Sequence, residues 1–163
     1  MASNFHNERK YAVPANVLFN IVSDPEFLAA RHERQGAVEA RVKELARHET
    51  RLIQEVETDE YARTIKGEDK RRIETAFTRY EWDLRDRRGS WQYSGSRGNR
   101  LRIAGRIAVA PEADESKLVS DFEVEVRAPL IGRLIEKRIL AEIESSLPAV
   151  ESLTEEFCSR VDR

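Results

Sequence analysis

The amino-acid sequence predicts an α+β fold: a curved antiparallel sheet of six to seven strands, two short helices after the first strand, and a long C-terminal helix that the sheet wraps around. Three observations predict it. Between Ala37 and Arg127 apolar residues recur at every second position in one segment after another, the pattern of strands with one wet face. Short turns part these segments, which makes neighbouring strands antiparallel. Residues 128–157, APLIGRLIEKRILAEIESSLPAVESLTEEF, follow a helical period instead. A sheet with one apolar face needs a cover, and this helix is the only element long enough to supply it.

In order, residues 4–12 form the first strand. VPANVLFNIVSD (13–24) opens a short helix, with Pro14 in its first turn and Val17, Leu18, Ile21 and Val22 at helical spacing. Asp24 caps a second short helix that starts at Pro25 and runs to Gln35, and Gly36 ends it. Val38, Ala40 and Val42 then alternate with Glu39, Arg41 and Lys43, and Leu52, Gln54 and Val56 mark a third strand. GEDKRR (67–72) is expected to be a charged loop or turn. Ala76, Thr78, Tyr80, Trp82 and Leu84 share one face of the next strand. A turn at Arg88-Gly89 leads to Trp91 and Tyr93, again on one face. Leu101, Ile103, Gly105, Ile107 and Val109 line another strand, PEADES (111–116) turns the chain, and Leu118, Ser120, Phe122, Val124 and Val126 line the last.

On a helical wheel of about 100° per residue, Ile131, Gly132, Ile135, Ile139, Ile143, Val150, Leu153, Phe157 and Val161 fall in a sector roughly 80° wide. Lys137, Glu144, Glu151, Glu155 and Asp162 fall opposite, and Pro148 lands in the middle of that solvent side. A proline there loses a backbone bond and clashes with the carbonyl four residues back, which would bend the helix around the core. The alternative is a break near Ser146 into two packed segments. Ser146, near the centre of the stripe, and Glu142, at its edge, could mark a polar spot in a cavity. A serine one turn before a proline more often bonds a helix carbonyl.

The 163 residues fit one domain, 1–163, with a sizeable core. Apolar residues at 40% and charged residues at 36% describe a folded chain with a heavily charged surface. A net charge of -2 argues against a general nucleic-acid binder. No apolar run approaches the roughly 18 residues of a membrane span. MASNFHNERKY has no apolar signal core. A cytoplasmic location is expected, and peripheral membrane contact stays open. Cys158 is the only cysteine, which excludes an internal disulfide and a Cys-based zinc site. The oligomeric state is not readable from these features.

YAVPANVLFNIVSDPEFLAAR (11–31) and RAPLIGRLIEKRI (127–139) resemble the opening and closing stretches of the START-like superfamily, also called SRPBCC or polyketide cyclase/dehydrase-like. LRIAGRIAVAPEADESKLVSDFEVEVRAPLIG is similar to an uncharacterised bacterial branch of it. The resemblance covers nearly the whole chain by element order and implies the helix-grip fold. It also implies a cavity between sheet and long helix, which in members holds lipids, sterols, polyketides, hormones or other apolar molecules. Some members are enzymes, but the superfamily has no universal catalytic motif to carry over.

A curved sheet under one helix tends to leave a gap, and ligand sites are concave and mostly apolar with a few polar groups. Tyr80, Trp82, Trp91 and Tyr93 share the inner faces of two neighbouring strands. They read either as an aromatic wall with orienting hydroxyls or as cross-strand core pairs. With Ile103, Ile107, Phe122 and Val124 from the last strands, and Ile135, Ile139, Glu142 and Ile143 from the helix, they form the candidate ligand-binding set. Gln54, Thr78 and Ser120 are polar on apolar faces, where a bond to backbone is the ordinary role. His6, His32 and His48 lack metal-ligand spacing, so neither a metal nor another cofactor is expected. There is no GxSxG elbow, and GSRG (95–98) is too short for a dinucleotide or phosphate loop. Arg85, Arg87, Arg88, Arg97, Arg100, Arg102 and Arg106 could attract an anionic head group or simply be solvated beside Asp83 and Asp86. The leading expectation is binding or transport of a hydrophobic small molecule, lipid-like or polyketide-like. The first alternative is a cyclase, aromatase or hydratase using Tyr80, Tyr93 or Glu142 for proton transfer, which enclosed acids with shifted pKa would favour. The second is a protein-interaction module with a collapsed cavity and an exposed apolar patch.

Overall fold

The computed structural model describes residues 2–64 and 67–161, so Asp162 lies outside the described residues. The chain runs β1 (Ser3–Tyr11), α1 (Ala15–Val22), α2 (Pro25–Arg34), β2 (Glu39–Arg47), β3 (Arg51–Thr64), β4 (Gly67–Asp83), β5 (Arg88–Ser94), β6 (Leu101–Glu112), β7 (Glu115–Val126) and α3 (Gly132–Val161). The seven strands form one antiparallel sheet in the order β1-β7-β6-β5-β4-β3-β2. The helices α1 and α2 carry the chain from one edge of the sheet to the other. Six strands then meander back until β7 lies beside β1. The α+β class and element order match the sequence expectation.

Local chemistry accounts for the helices. Asp24 accepts a hydrogen bond from the Phe27 backbone N–H at 3.1 Å, with Pro25 in the first turn. Gly36, at φ +114°, supplies the left-handed residue that ends α2. The core gathers at the α1/α2 end, where Leu18, Phe19, Phe27 and Leu28 meet Leu52, Val56, Trp82, Ile107, Leu153 and Phe157.

Three turns differ from expectation. Residues 67–72 are strand, not loop: Gly67, Glu68 and Asp69 pair with Thr64, Arg63 and Ala62 as the β3–β4 ribbon runs on. Lys70, Arg71 and Arg72 bulge from the ladder, where the Arg71 N–H donates to the Asp69 carboxylate at 3.0 Å, and no apolar face marks the segment in the sequence. Arg88 and Gly89 already belong to β5, and the turn residue is Arg87 at φ +53°. Gly89 is a glycine because the Trp82 ring lies over it; a Cβ would come within 2.4 Å of that ring. In PEADES only Ala113, at φ +54°, and Asp114 turn, since Glu112 already pairs with Glu115.

The long helix runs unbroken through Pro148, which faces solvent, so the two-segment alternative fails. The Ser146 hydroxyl donates to the Ile143 carbonyl at 2.7 Å. The buried side consists of Gly132, Glu136, Ile139, Val150, Leu153, Thr154, Phe157 and Cys158. Ile135 and Ile143 are only half-buried, and Ile131 and Val161 are exposed at 44% and 51%, a correction to the continuous stripe. The reason is that α3 is anchored at its two ends. Its start meets β7 and β1 at Val126 and Ser3, and its second half packs on α1 and α2 and is bridged to β1 where Arg9 pairs with Glu151 and Glu155. At the start, Glu136 accepts from the Ser3 hydroxyl at 2.8 Å and the Val126 N–H at 2.9 Å. A Cβ on Gly132 would sit 2.6 Å from the Val126 carbonyl oxygen, so only glycine permits this approach. At the far end, Phe157 packs edge-on against Phe27 at 5.3 Å. Among the described residues, no helix is long and apolar enough to cross a membrane.

Candidate functional site

Between its anchored ends, α3 stands off β3, β4 and β5, and the gap is a cavity of about 550 Å³. Cross-strand register builds its wall. Gln54, Tyr80, Trp91, Gly105, Phe122 and Phe5 form one row across the sheet. Val56, Thr78, Tyr93, Ile103 and Val124 form the next. Gly105 has no side chain because the Trp91 ring covers it, and a Cβ there would fall 2.5 Å from that ring. The Trp91 ring also meets Phe122 at 6.2 Å.

Eight of the twelve candidate residues line this cavity: Tyr80, Trp91, Tyr93, Ile103 and Phe122 from the sheet, and Ile139, Glu142 and Ile143 from α3. The other four stand apart from it. Trp82 is 1% exposed, stacked on Tyr80 at 5.6 Å, edge-on to Phe19 at 5.7 Å, and donates its Nε1–H to Gln54 at 2.8 Å. Ile107 and Val124 are buried in the sheet's packing, and Ile135 is half-buried outside the cavity. Gln54 also donates to the Ser23 carbonyl at 3.0 Å, the backbone role expected of it, whereas Thr78 lines the cavity. Buried Thr58, Thr78 and Tyr80 mark the floor, Ile139 of α3 the roof, and exposed Arg34, Arg63, Glu68, Glu142 and Ser145 the rim. Across the rim Arg63 pairs with Glu142, and beside it Arg34 pairs with Glu156.

Two polar groupings escaped the sequence reading. On β3, the half-buried Glu60 accepts from Thr58 at 3.2 Å and from the Tyr93 hydroxyl at 3.4 Å. Burial pushes its carboxyl above the ordinary range, against the nearby Arg63 charge, and pushes the Tyr93 hydroxyl up as well. Extending the even-numbered face of β3 past Val56 would have found Thr58 and Glu60. At the end of α2, His32 Nε2 lies 2.9 Å from the Tyr80 hydroxyl. Burial first, then the charge of Arg31, lowers the imidazole pKa to about 3, so it is neutral at physiological pH. Burial also raises the Tyr80 hydroxyl. Arg31 and His32 are adjacent residues without a periodic signal, which is why spacing did not select them. Among the described residues, no group of three or more His, Cys, Asp or Glu is placed to hold a metal ion.

Residues 6–158 match the family described as "Protein of unknown function (DUF2505)", and the chain belongs to that family. No curated protein sequence matches it. Its fold is the helix-grip fold of START-like proteins. The structure of the Zhui aromatase/cyclase from Streptomyces sp. R1128 is similar with a TM-score of 0.69 at 14% identity, over 99% of this chain and 96% of that one. Norcoclaurine synthase from Thalictrum flavum gives 0.61 at 15%, over 95% and 86%. A START superfamily protein from Mycobacterium smegmatis gives 0.56 at 20%, over 92% and 98%.

Proposed function

We propose that this member of the DUF2505 family binds an apolar small molecule in the cavity between the sheet and α3. The observation that supports it is the cavity itself: about 550 Å³, within the range of small-molecule sites, with Trp91, Tyr93, Ile103, Phe122, Ile139 and Ile143 forming an apolar wall and polar or charged residues making up the rest of the lining. A collapsed cavity, which the interaction-module alternative needs, does not fit this volume. The test is titration with N-phenyl-1-naphthylamine, a neutral naphthalene dye, following its emission and the quenching of tryptophan fluorescence. Saturable binding of one dye per chain is expected. Absence of saturation up to the dye's solubility limit would end the reading.

One observation favours a second reading, an enzyme of the cyclase or synthase type. Glu60 is an enclosed acid with a raised pKa beside the Tyr93 hydroxyl, the arrangement a general acid requires. Carboxyl carbon NMR of glutamate-labelled protein tests it directly. A Glu60 titration at or below the ordinary carboxylate range would remove this reading and leave the binding reading intact.

A further inference from the structure

We infer that the ligand carries an anionic group, a carboxylate in the simplest case, and that Arg31 on α2 receives it. This rests on the binding reading above and narrows it to a class of amphipathic acids. The inference starts from charge pairing in the cavity. Arg34 is paired with Glu156 and Arg63 with Glu142. Glu60 already accepts from Thr58 and from the Tyr93 hydroxyl. Arg31 alone among these cationic lining residues makes no ion pair, and its Nε–H is buried without a hydrogen-bond partner. A buried donor without an acceptor is costly, and the guanidinium that carries it lines the cavity without a counter-charge, which fits an anion supplied from outside the chain. A position in the last turn of α2 suits a positive charge, but it explains neither the buried orphan nor its place on the cavity wall.

The chemistry of the neighbours points to an oxygen anion. A guanidinium presents paired N–H groups along its edges, each pair a fork that matches the two oxygens of a carboxylate. His32 beside it is neutral, so it does not compete for the anion, and it cannot serve as a counter-charge to Arg31. With the imidazole proton on Nε2, His32 donates to the Tyr80 oxygen across 2.9 Å, and the Tyr80 O–H is then free to donate to the ligand. The anionic head would thus sit at the α2 corner against Arg31 and Tyr80. The apolar tail would run along Trp91, Ile103 and Phe122 beneath Ile139 and Ile143.

The experiment compares dodecanoate with dodecanol, equal in chain length and different in charge, as displacers of bound N-phenyl-1-naphthylamine at pH 7.5. On the wild-type chain the acid is expected to displace the dye at a concentration at least tenfold lower than the alcohol. In Arg31→Gln the ratio of the two is expected to fall to within about twofold of unity. Arg31→Lys, which keeps the charge and loses the fork, should fall between them. Each ratio is taken within one protein, so a general change in cavity shape cancels. The wild-type comparison needs no variant and stands even if Arg31→Gln folds poorly. Equal displacement by acid and alcohol on the wild type overturns the inference while the dye binding upholds the cavity. An acid preference that survives Arg31→Gln overturns the assignment to Arg31. Failure of the dye to bind sinks the binding reading and this inference together.

Discussion

Trp82 and Trp91 look alike in sequence, each inward on a neighbouring strand, yet the structure gives them different surroundings, and alanine substitution separates the two. Trp82 is 1% exposed and touches Tyr80 and Phe19. Removing its ring creates a core cavity at a cost of about 3–5 kcal/mol. It also leaves the Gln54 oxygen, itself buried, without its 2.8 Å donor, which adds about 1–3 kcal/mol. For a chain of this length each kcal/mol moves the melting midpoint by about 2–4 °C, so a fall of 10 °C or more is expected. Trp91 is half-buried, rests on Gly105 and Phe122, and borders the cavity. A ring edge facing empty space has few partner atoms to lose, so Trp91→Ala should cost less than about 2 kcal/mol. Its larger effect should be on ligand, with affinity for N-phenyl-1-naphthylamine weakened at least fivefold. Urea melts and dye titrations of both variants supply the two readouts. If Trp91→Ala destabilises as much as Trp82→Ala and leaves dye affinity unchanged, Trp91 is ordinary core and the wall has been misassigned.

Two further outcomes are expected. Glu136→Ala deprives the Val126 N–H and the Ser3 hydroxyl of their acceptor at the point where α3 joins β7; a loss of about 1–3 kcal/mol in urea melts is expected, whereas Glu136→Gln should retain most of the stability, and equal losses in both variants would show that the two bonds do not anchor the helix. His32 is held neutral in the fold down to about pH 3, while an unfolded imidazole takes a proton near 6.5, so between those values the unfolded state binds more protons and stability falls as pH falls. His32→Gln removes that slope, at most about 1.4 kcal/mol per pH unit. The wild type should therefore lose more stability than the variant between pH 6.5 and 4.5, and parallel losses would contradict the burial of His32.

The strands were legible where they are covered, because packing against a helix enforces a period of two. Tyr80, Ile107 and Val124 on the inner face obey it. Where the β3–β4 ribbon runs on through residues 67–72, every residue but Gly67 is charged, so neither the paired positions nor the bulge at 70–72 leaves an apolar period to read. Among candidate site residues, alternation selected the inward set without ranking it by depth. Trp82 and Trp91 both satisfy the period, and only the third dimension sends one into the core and the other to the cavity wall. Arg31 and His32 come from the end of a short helix whose sequence neighbours are solvated, so nothing local distinguishes them.

The existence of the gap has a physical cause in two glycines, Gly89, which the sequence reading placed in a turn, and Gly105, which the alternation treated as an ordinary inward position. Gly89 lies opposite Trp82, and Gly105 opposite Trp91, on the next strand in each case. Without a Cβ in the way, each indole lies along the sheet over its glycine instead of standing up toward α3. Beside them Thr58 and Thr78 put short side chains on the floor. The inner face is therefore low in the middle of the sheet. At the edge, Glu136 and Gly132 draw the start of α3 close to β7 and β1, and the second half rests on α1 and α2. A helix held at its ends above a floor that includes the flattened Trp91 ring cannot collapse onto the sheet without leaving its anchors. The anchors and Gly105 together keep the space open, and among the polar groups that meet it are those of Arg31, His32, Tyr80, Glu60 and Tyr93.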